Sequence, residues 1–465
     1  MRLDYEQELA SKYVDTHSLI IAGAGTGKTT TLLKKVDYLI ENGIKENEIL
    51  VISFTNETVN NFKQKCPHNV DVLTFHKLAK KILETNKELV EEDVLQECIQ
   101  DFLINITIKL KKKIYYIFNK KRFTISRYNE YIKKSDSASA QNYIFSIIKQ
   151  IKTNNINIKI LEENKFSKNE KIILYIVNSI LNNYNRLLKE NEFIDFDDLI
   201  ILATKKIRNK LYRCSYKQIL VDEYQDISLI RQEFLKSLVN SNNSILTAVG
   251  DDFQSIYKFS GSNIDLFYNF QVCFQDSKLF YIKTTYRCPQ NIVNIAGKFI
   301  MKNKLQIKKN LISTNHTKSK IHKIYTKNVQ KNIEKIISKY INNDLSMLIL
   351  GRNNFDIKKI INNNIKFKNS YLYFKEKEYK KIRYLTVHKS KGLEADIVII
   401  INLSNKENGF PNKQNDRLIN KLVNYKEKYK YAEERRLFYV ALTRCKKELY
   451  LLIDKNNPSI FVNEI

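Results

Sequence analysis

The chain has 465 residues, 43% of them hydrophobic, and a formal net charge of +29. That length can bury two or three ordinary cores. No apolar run approaches the roughly eighteen residues that would cross a bilayer, and Met1-Arg2-Leu3-Asp4-Tyr5-Glu6 has no apolar signal-peptide core, so a soluble chain without a membrane partner is expected. The six cysteines are scattered without a CxxC pair, which predicts reduced thiols in a cytosol-like compartment and no zinc site. The positive charge predicts a polyanionic partner; part of it also fits lysine drift in an AT-rich coding genome.

Residues 21 to 31, Ile-Ala-Gly-Ala-Gly-Thr-Gly-Lys-Thr-Thr-Thr, follow the apolar pair Ile20-Ile21 and precede a helical pattern at Leu32, Leu33 and Val36. A strand, a glycine turn and a helix start make a phosphate cradle of main-chain N–H groups. Ala22, Gly23, Ala24, Gly25, Thr26, Gly27, Lys28, Thr29 and Thr30 are the expected ATP contacts. Lys28 reaches the β- and γ-phosphates and Thr29 ligates Mg²⁺. Strand-like runs recur near 49–54, 70–75, 218–222, 244–250, 279–283, 346–350, 383–387, 396–402 and 448–453, with helical patterns between many of them. This predicts an α/β fold with parallel sheets.

Residues 86–190 break the rhythm with helical, basic and aromatic stretches such as Lys109 to Lys113, Tyr115, Tyr116 and Phe118. The expected organisation is a first core from 1–85 and 191–279, a helical insertion at 86–190, and a second core at 280–465. The Asn/Lys-rich segments near 302–320 and 403–430 are expected to be loops or surface helices.

Ile219-Leu220-Val221-Asp222-Glu223 reads as a strand ending in two acids. Asp222 can hold the Mg²⁺ shell and Glu223 can deprotonate the attacking water. Gln254, after the strand Ile245–Val249, can sense the γ-phosphate through its amide. Phe253, Tyr257 and Phe259 beside it either stack on bases or pack in the core. Arg287 and Arg444 can reach the γ-phosphate from a second domain as arginine fingers, in the manner worth about 10³–10⁵ in rate where it operates.

These motifs together resemble the UvrD/Rep-type superfamily 1 DNA helicases, most closely those of the helicase IV type. The resemblance rests on Gln7, Ala22–Thr29, Ser53-Phe54-Thr55-Asn56, Thr74-Phe75-His76, Asp222–Asp226, Gly250–Tyr257, Thr285-Tyr286-Arg287, Thr386–Glu394 and Glu433–Arg444. It spans almost the whole chain, and it implies two RecA-like domains and ATP-driven 3′-to-5′ movement on single-stranded DNA with unwinding of forked duplex, in replication, repair or recombination. By position, Gln7 would read adenine, Tyr286 would stack on it, and Glu394 would touch the ribose. Thr55, Asn56, Phe75, His76, Tyr257, Phe259, Thr386 and His388 would line the DNA track. The expected location is the cytoplasm, of a bacterium or of a cell hosting a phage or DNA virus, with the nucleus left open.

Two departures from the family pattern stand out. Only about a hundred residues separate Arg287 from Thr386, too few for the large helical insertion of bigger relatives, so an accessory protein replacing it is expected. Phe259 stands where many relatives have Trp, and Ser260 where many have Arg.

Overall fold

The computed structural model describes residues 3–133, 140–158, 165–317, 319–413, 417–423, 425 and 427–465. Two large sheets organise the chain. The first runs in the order Asp71–Thr74, Ile49–Ser53, Gln218–Val221, Ile245–Gly250, Ser18–Ile21 and Lys278–Tyr281, with every pair parallel. Its interior strands Ile49–Ser53, Gln218–Val221 and Ser18–Ile21 are buried along their whole length. That explains why they read as unbroken apolar runs rather than alternating ones, since helices cover both faces of such a sheet.

The second sheet runs Lys320–Thr326, Cys445–Asp454, Ala395–Leu403, Met347–Gly351, Lys377–Thr386, Tyr371–Phe374 and Ile365–Lys368. Its first five strands are parallel. The last two form an antiparallel edge on this otherwise parallel sheet. Here Lys377–Thr386 runs long enough to pair back on a short hairpin whose positions alternate in burial.

Strands Glu88–Val90 and Phe193–Asp195 pair in parallel as a neck. Between them lie helices Glu92–Asn105, Ile108–Asn119, Ile125–Lys133, Ala140–Thr153 and Lys168–Glu190. They enclose a core of their own around Leu103, Ile147, Ile176 and Ile180, and Leu418, Ile419, Leu422 and Tyr425 from the far end of the chain complete it. Residues 417–423 are helical, so this part of the 403–430 segment is a docked element and not a surface loop.

The two halves share an apolar junction. Phe253 and Ile256 of the first half sit in the core of the second, with the Phe253 and Tyr439 rings 5.2 Å apart. Packing is thus the role of Phe253. The segment near 302–320 also proves partly interior. Lys309 donates to Ala22 O at 3.0 Å and pairs with Asp251 at 2.5 Å and Asp252 at 2.6 Å, all three side chains almost wholly enclosed. Removing one partner of a buried ion cluster leaves uncompensated charge. Lys309→Met is therefore expected to lower unfolding stability in urea by about 3–5 kcal/mol, with Asp252→Asn on top restoring part of the loss.

Candidate nucleotide and nucleic-acid site

The cradle begins where strand Ser18–Ile21 ends, and helix Lys28–Glu41 begins at its close. Gly25 and Gly27 hold φ +73° and +76°, a left-handed backbone that favours glycine. Space demands it too: a Cβ on Gly25 would lie 2.5 Å from Arg287 Cβ, and one on Gly27 would lie 2.7 Å from Gln7 Nε2. Ala22 and Ala24 are buried. Thr26 is closed by its Oγ1 donating to Gly23 O at 3.1 Å, and a Cβ on Gly23 would meet the Leu311 side chain at 2.6 Å. Thr30 lies in the first turn of the helix.

Lys28 Nζ stands 3.0 Å from Glu223 Oε1. Thr29 Oγ1 donates to Asp222 Oδ2 at 3.3 Å. Burial and the adjacent Glu223 push the Asp222 carboxyl up to about 6, only partly countered by Lys28. Burial pushes Glu223 up as well, but Lys28 and Lys391 outweigh it and hold that carboxyl well below the usual range. One acid of the pair is thus firmly ionised, while its neighbour has no direct ion-pair partner among the described residues. Glu223 itself has φ +54°, the strained conformation common at functional turns.

Gln254 joins the two halves. Its Nε2 donates to Asp251 Oδ2 at 2.6 Å, and its Oε1 accepts from Arg444 Nη2 at 3.1 Å. Arg444 is fully buried and also donates to Val440 O and Leu393 O. Burial, with Arg287 nearby, pulls its pKa down to about 9. Lys391 crosses in the same direction: it pairs with Asp226, lies 3.8 Å from Glu223 Oε2 and donates to Gln254 O at 2.9 Å. Lys391 and Lys309 were not singled out by sequence reasoning. Lys391 lies inside the Ser390-Lys391-Gly392 motif, which offered a signal; Lys309 lies in a Lys-rich run that offered none.

Around the cradle mouth, Thr285 Oγ1 donates to Ala24 O at 2.7 Å and Tyr286 N to Gly25 O at 3.0 Å. Tyr286 is half-exposed, and its hydroxyl donates to Asp4 Oδ2 at 3.0 Å. Gln7 is only 2% exposed. Its amide is shared between Thr26 O, at 2.9 Å from Nε2, and Asp4 N, at 3.0 Å from Oε1. Arg287 lies on the cradle, but its Nε donates to Glu394 Oε2 at 2.7 Å instead of standing free. Burial raises the Glu394 carboxyl, yet hydrogen bonds from Lys446 and Arg287 hold it below its ordinary value.

The residues expected along a nucleic-acid track fall into two groups. On one side Tyr257 donates to His388 O at 3.4 Å. The Phe259 ring, 54% exposed, stands edge-on to Tyr257 at 6.0 Å and to His388 at 5.4 Å. Thr386 accepts from Lys389 N at 3.4 Å, and Ser260 Oγ donates to Tyr257 O at 2.9 Å. Burial, then Arg352 and Lys391, bring His388 down to about 3, so it is neutral. On the other side Thr55 caps the exposed start of helix Asn56–Lys65, and His76 stands edge-on to Phe196 at 4.7 Å. Phe75 belongs to neither group: it is 1% exposed within the first core, between Phe54 at 5.3 Å and Phe234 at 6.5 Å. The expectation that Phe75 lines the track is therefore corrected, because its ring has no face open to a base.

Residues 3–275 match the UvrD/REP helicase N-terminal domain and residues 352–456 the UvrD-like helicase C-terminal domain. The chain belongs to the UvrD/REP helicase family. DNA helicase IV of Escherichia coli (strain K12) is 28% identical over an alignment covering 96% of this chain and 67% of that protein. ATP-dependent DNA helicase Rep of Buchnera aphidicola subsp. Baizongia pistaciae is 31% identical over 67% of this chain, and PcrA of Staphylococcus epidermidis is 27% identical over 66%. This UvrD/REP-family chain spans less than half the length of the Rep and PcrA relatives it matches, 45% and 41%. No described helix is long and apolar enough to cross a membrane.

The core position of Phe75 separates packing from binding. Phe75→Ala is expected to lower unfolding stability by about 3–5 kcal/mol while the folded fraction keeps its parental affinity for a labelled single strand, measured by anisotropy beside a urea titration.

Proposed function

We propose that the chain is an ATP-dependent DNA helicase that moves 3′ to 5′ on single-stranded DNA and opens forked duplex, acting in replication, repair or recombination in the cytoplasm. The moving bodies in this reading are 1–85 with 191–279 against 280–465, with 86–190 as an insertion. What supports it most is the position of Gln254, whose single amide is tied to Asp251 on one body and Arg444 on the other. A group so placed links what happens at the γ-phosphate to the angle between the bodies.

In this mechanism Lys28, now paired with Glu223, turns to the β- and γ-phosphates when ATP enters the cradle. Glu223, freed and ionised, orients the attacking water and accepts its proton. Arg287 and Arg444 spread the charge that develops on the transferred phosphoryl group. Tyr286, beside Asp4 and Gln7, forms the adenine side, with Glu394 toward the ribose. Loss of the γ-phosphate lets the bodies part, and Tyr257, Phe259, Thr386 and His388 on one side with Thr55, Asn56 and His76 on the other hand the strand along.

The donor set at Thr29 and Asp222 fits Mg²⁺, because a hydroxyl and a buried carboxylate without a direct ion-pair partner among the described residues are hard oxygen ligands. Bound there, the ion would offset phosphate charge. A second reading, translocation that strips proteins from single strands with little duplex separation, is favoured by the short stretch between Arg287 and Thr386, and it leaves duplex opening to an accessory protein.

The deciding experiment is strand displacement on duplexes with 3′ or 5′ tails. Displacement from the 3′ tail is expected; ATP turnover without displaced strand would replace the helicase by the translocase. Lys28→Ala and Glu223→Gln should each abolish DNA-stimulated ATP turnover, and parental rates in either would overturn the site. Because the folded pKa of Asp222 is raised, its charge is a cost at neutral pH that protonation relieves as pH falls through about 6. Protons and Mg²⁺ then compete for it, so the Mg²⁺ concentration giving half-maximal ATP turnover should rise below that pH.

A further inference from the structure

Helix Leu229–Asn242 follows the Asp222–Asp226 turn directly, so its first turn lies at the C-terminal end of the first sheet, and Arg231 is on that turn. The Arg231 guanidinium lies over the Phe54 ring, 5.5 Å from its centroid, and Phe54 leads straight into Thr55 and Asn56. Its Nε is closed off from solvent without a hydrogen-bond partner, although the residue as a whole is only partly buried. Of the two carboxylates whose charge acts on it, Asp197 and Asp226, one oxygen each is already engaged, while Asp226 Oδ1 is enclosed without a hydrogen-bond partner among the described residues. Asp197 Oδ2 accepts from Lys149 at 3.1 Å, and Asp226 pairs with Lys391.

His76 repeats the pattern. Its ring stands edge-on to Phe196 at 4.7 Å, and its Nε2 is buried and equally unpartnered. Burial, then the charges of Arg231 and Lys149, depress it to about 3 against an opposing pull from Asp195.

An enclosed guanidinium nitrogen without a partner is costly, while a guanidinium stacked on an aromatic face can present its terminal N–H groups in the fork that matches a phosphate. We propose that Arg231 is a docking point for a backbone phosphate of the single strand, beside the turn Phe54-Thr55-Asn56 and next to His76 Nε2. The inference rests on the reading of this chain as a single-strand motor and adds a contact that holds the strand on the first body, beside Phe54.

The test is equilibrium binding of a labelled oligothymidylate across a salt series, with thermal unfolding as the check on folding. Arg231→Ala should weaken binding roughly tenfold, as loss of one charge-assisted contact predicts. It should also flatten the slope of log affinity against log salt by about 0.7, the share of one phosphate on a single strand. Arg231→Lys keeps the charge and should keep the slope while recovering part of the affinity, so an unfolded alanine variant would not decide the matter alone. Parental affinity and slope in Arg231→Ala would overturn the docking point with the motor intact. A site for free phosphate alone would show as Arg231-dependent binding of inorganic phosphate with strand affinity unchanged, and would equally overturn it. A parental chain with no salt-dependent strand binding would sink the motor reading itself.

Discussion

A buried carboxylate cannot keep its charge without a cation beside it, and this constraint arranges the centre of the molecule. Asp222, Glu223, Asp226, Asp251 and Asp252 all lie at the strand ends of the first sheet. The cations that answer them come from elsewhere: Lys28 from the cradle helix, Lys391 and Lys309 from the second half. Closing the two halves is therefore charge neutralisation as much as apolar packing. Phe253 and Ile256, buried across the same junction, supply the dispersion and area that charge pairing alone does not, since buried ion pairs roughly offset their own desolvation.

The same constraint makes the cradle responsive. A nucleotide brings negative charge to Lys28 and so alters the balance on Glu223, and Glu223 is 3.8 Å from a lysine rooted in the other half. Gln254 lies on the parallel route, one amide between an aspartate and an arginine. Neither route needs a large displacement, because each depends on which of two oxygen or nitrogen partners a side chain faces.

Local chemistry was legible in the sequence, and long-range pairing was not. The glycine cradle, the strand ending in Asp222-Glu223 and the parallel strands are local patterns whose apolar runs and turn residues carry their own explanation. Phe75 was set on the track by the family likeness of Thr74-Phe75-His76, whereas at the start of helix Phe75–Leu83 it is buried in the core. Lys309 was invisible because one lysine in Gln306-Ile307-Lys308-Lys309-Asn310 looks like any other until the fold sets it against two aspartates. Arg231 was invisible for the opposite reason: its signal is an enclosed Nε with no hydrogen-bond partner among the described residues.

The helical unit is held at more than its neck. Gln150 donates to Lys258 O, Thr153 lies against Gly261 so closely that a Cβ there has no room, and Tyr425 of the second half donates to Gln150 at 3.0 Å. Lys421 pairs with Glu170 at 2.7 Å. Two bodies joined at one hinge can swing independently, but a third body fastened to both turns the hinge into a closed linkage with fewer degrees of freedom. In such a linkage a rotation at one corner must reappear at the others, and one corner here is the loop 258–261 that carries Phe259. For the proposed motor, the helices between Val90 and Phe193 would then serve as a connecting rod, limiting how far the two bodies part and passing that travel to the exposed Phe259 ring.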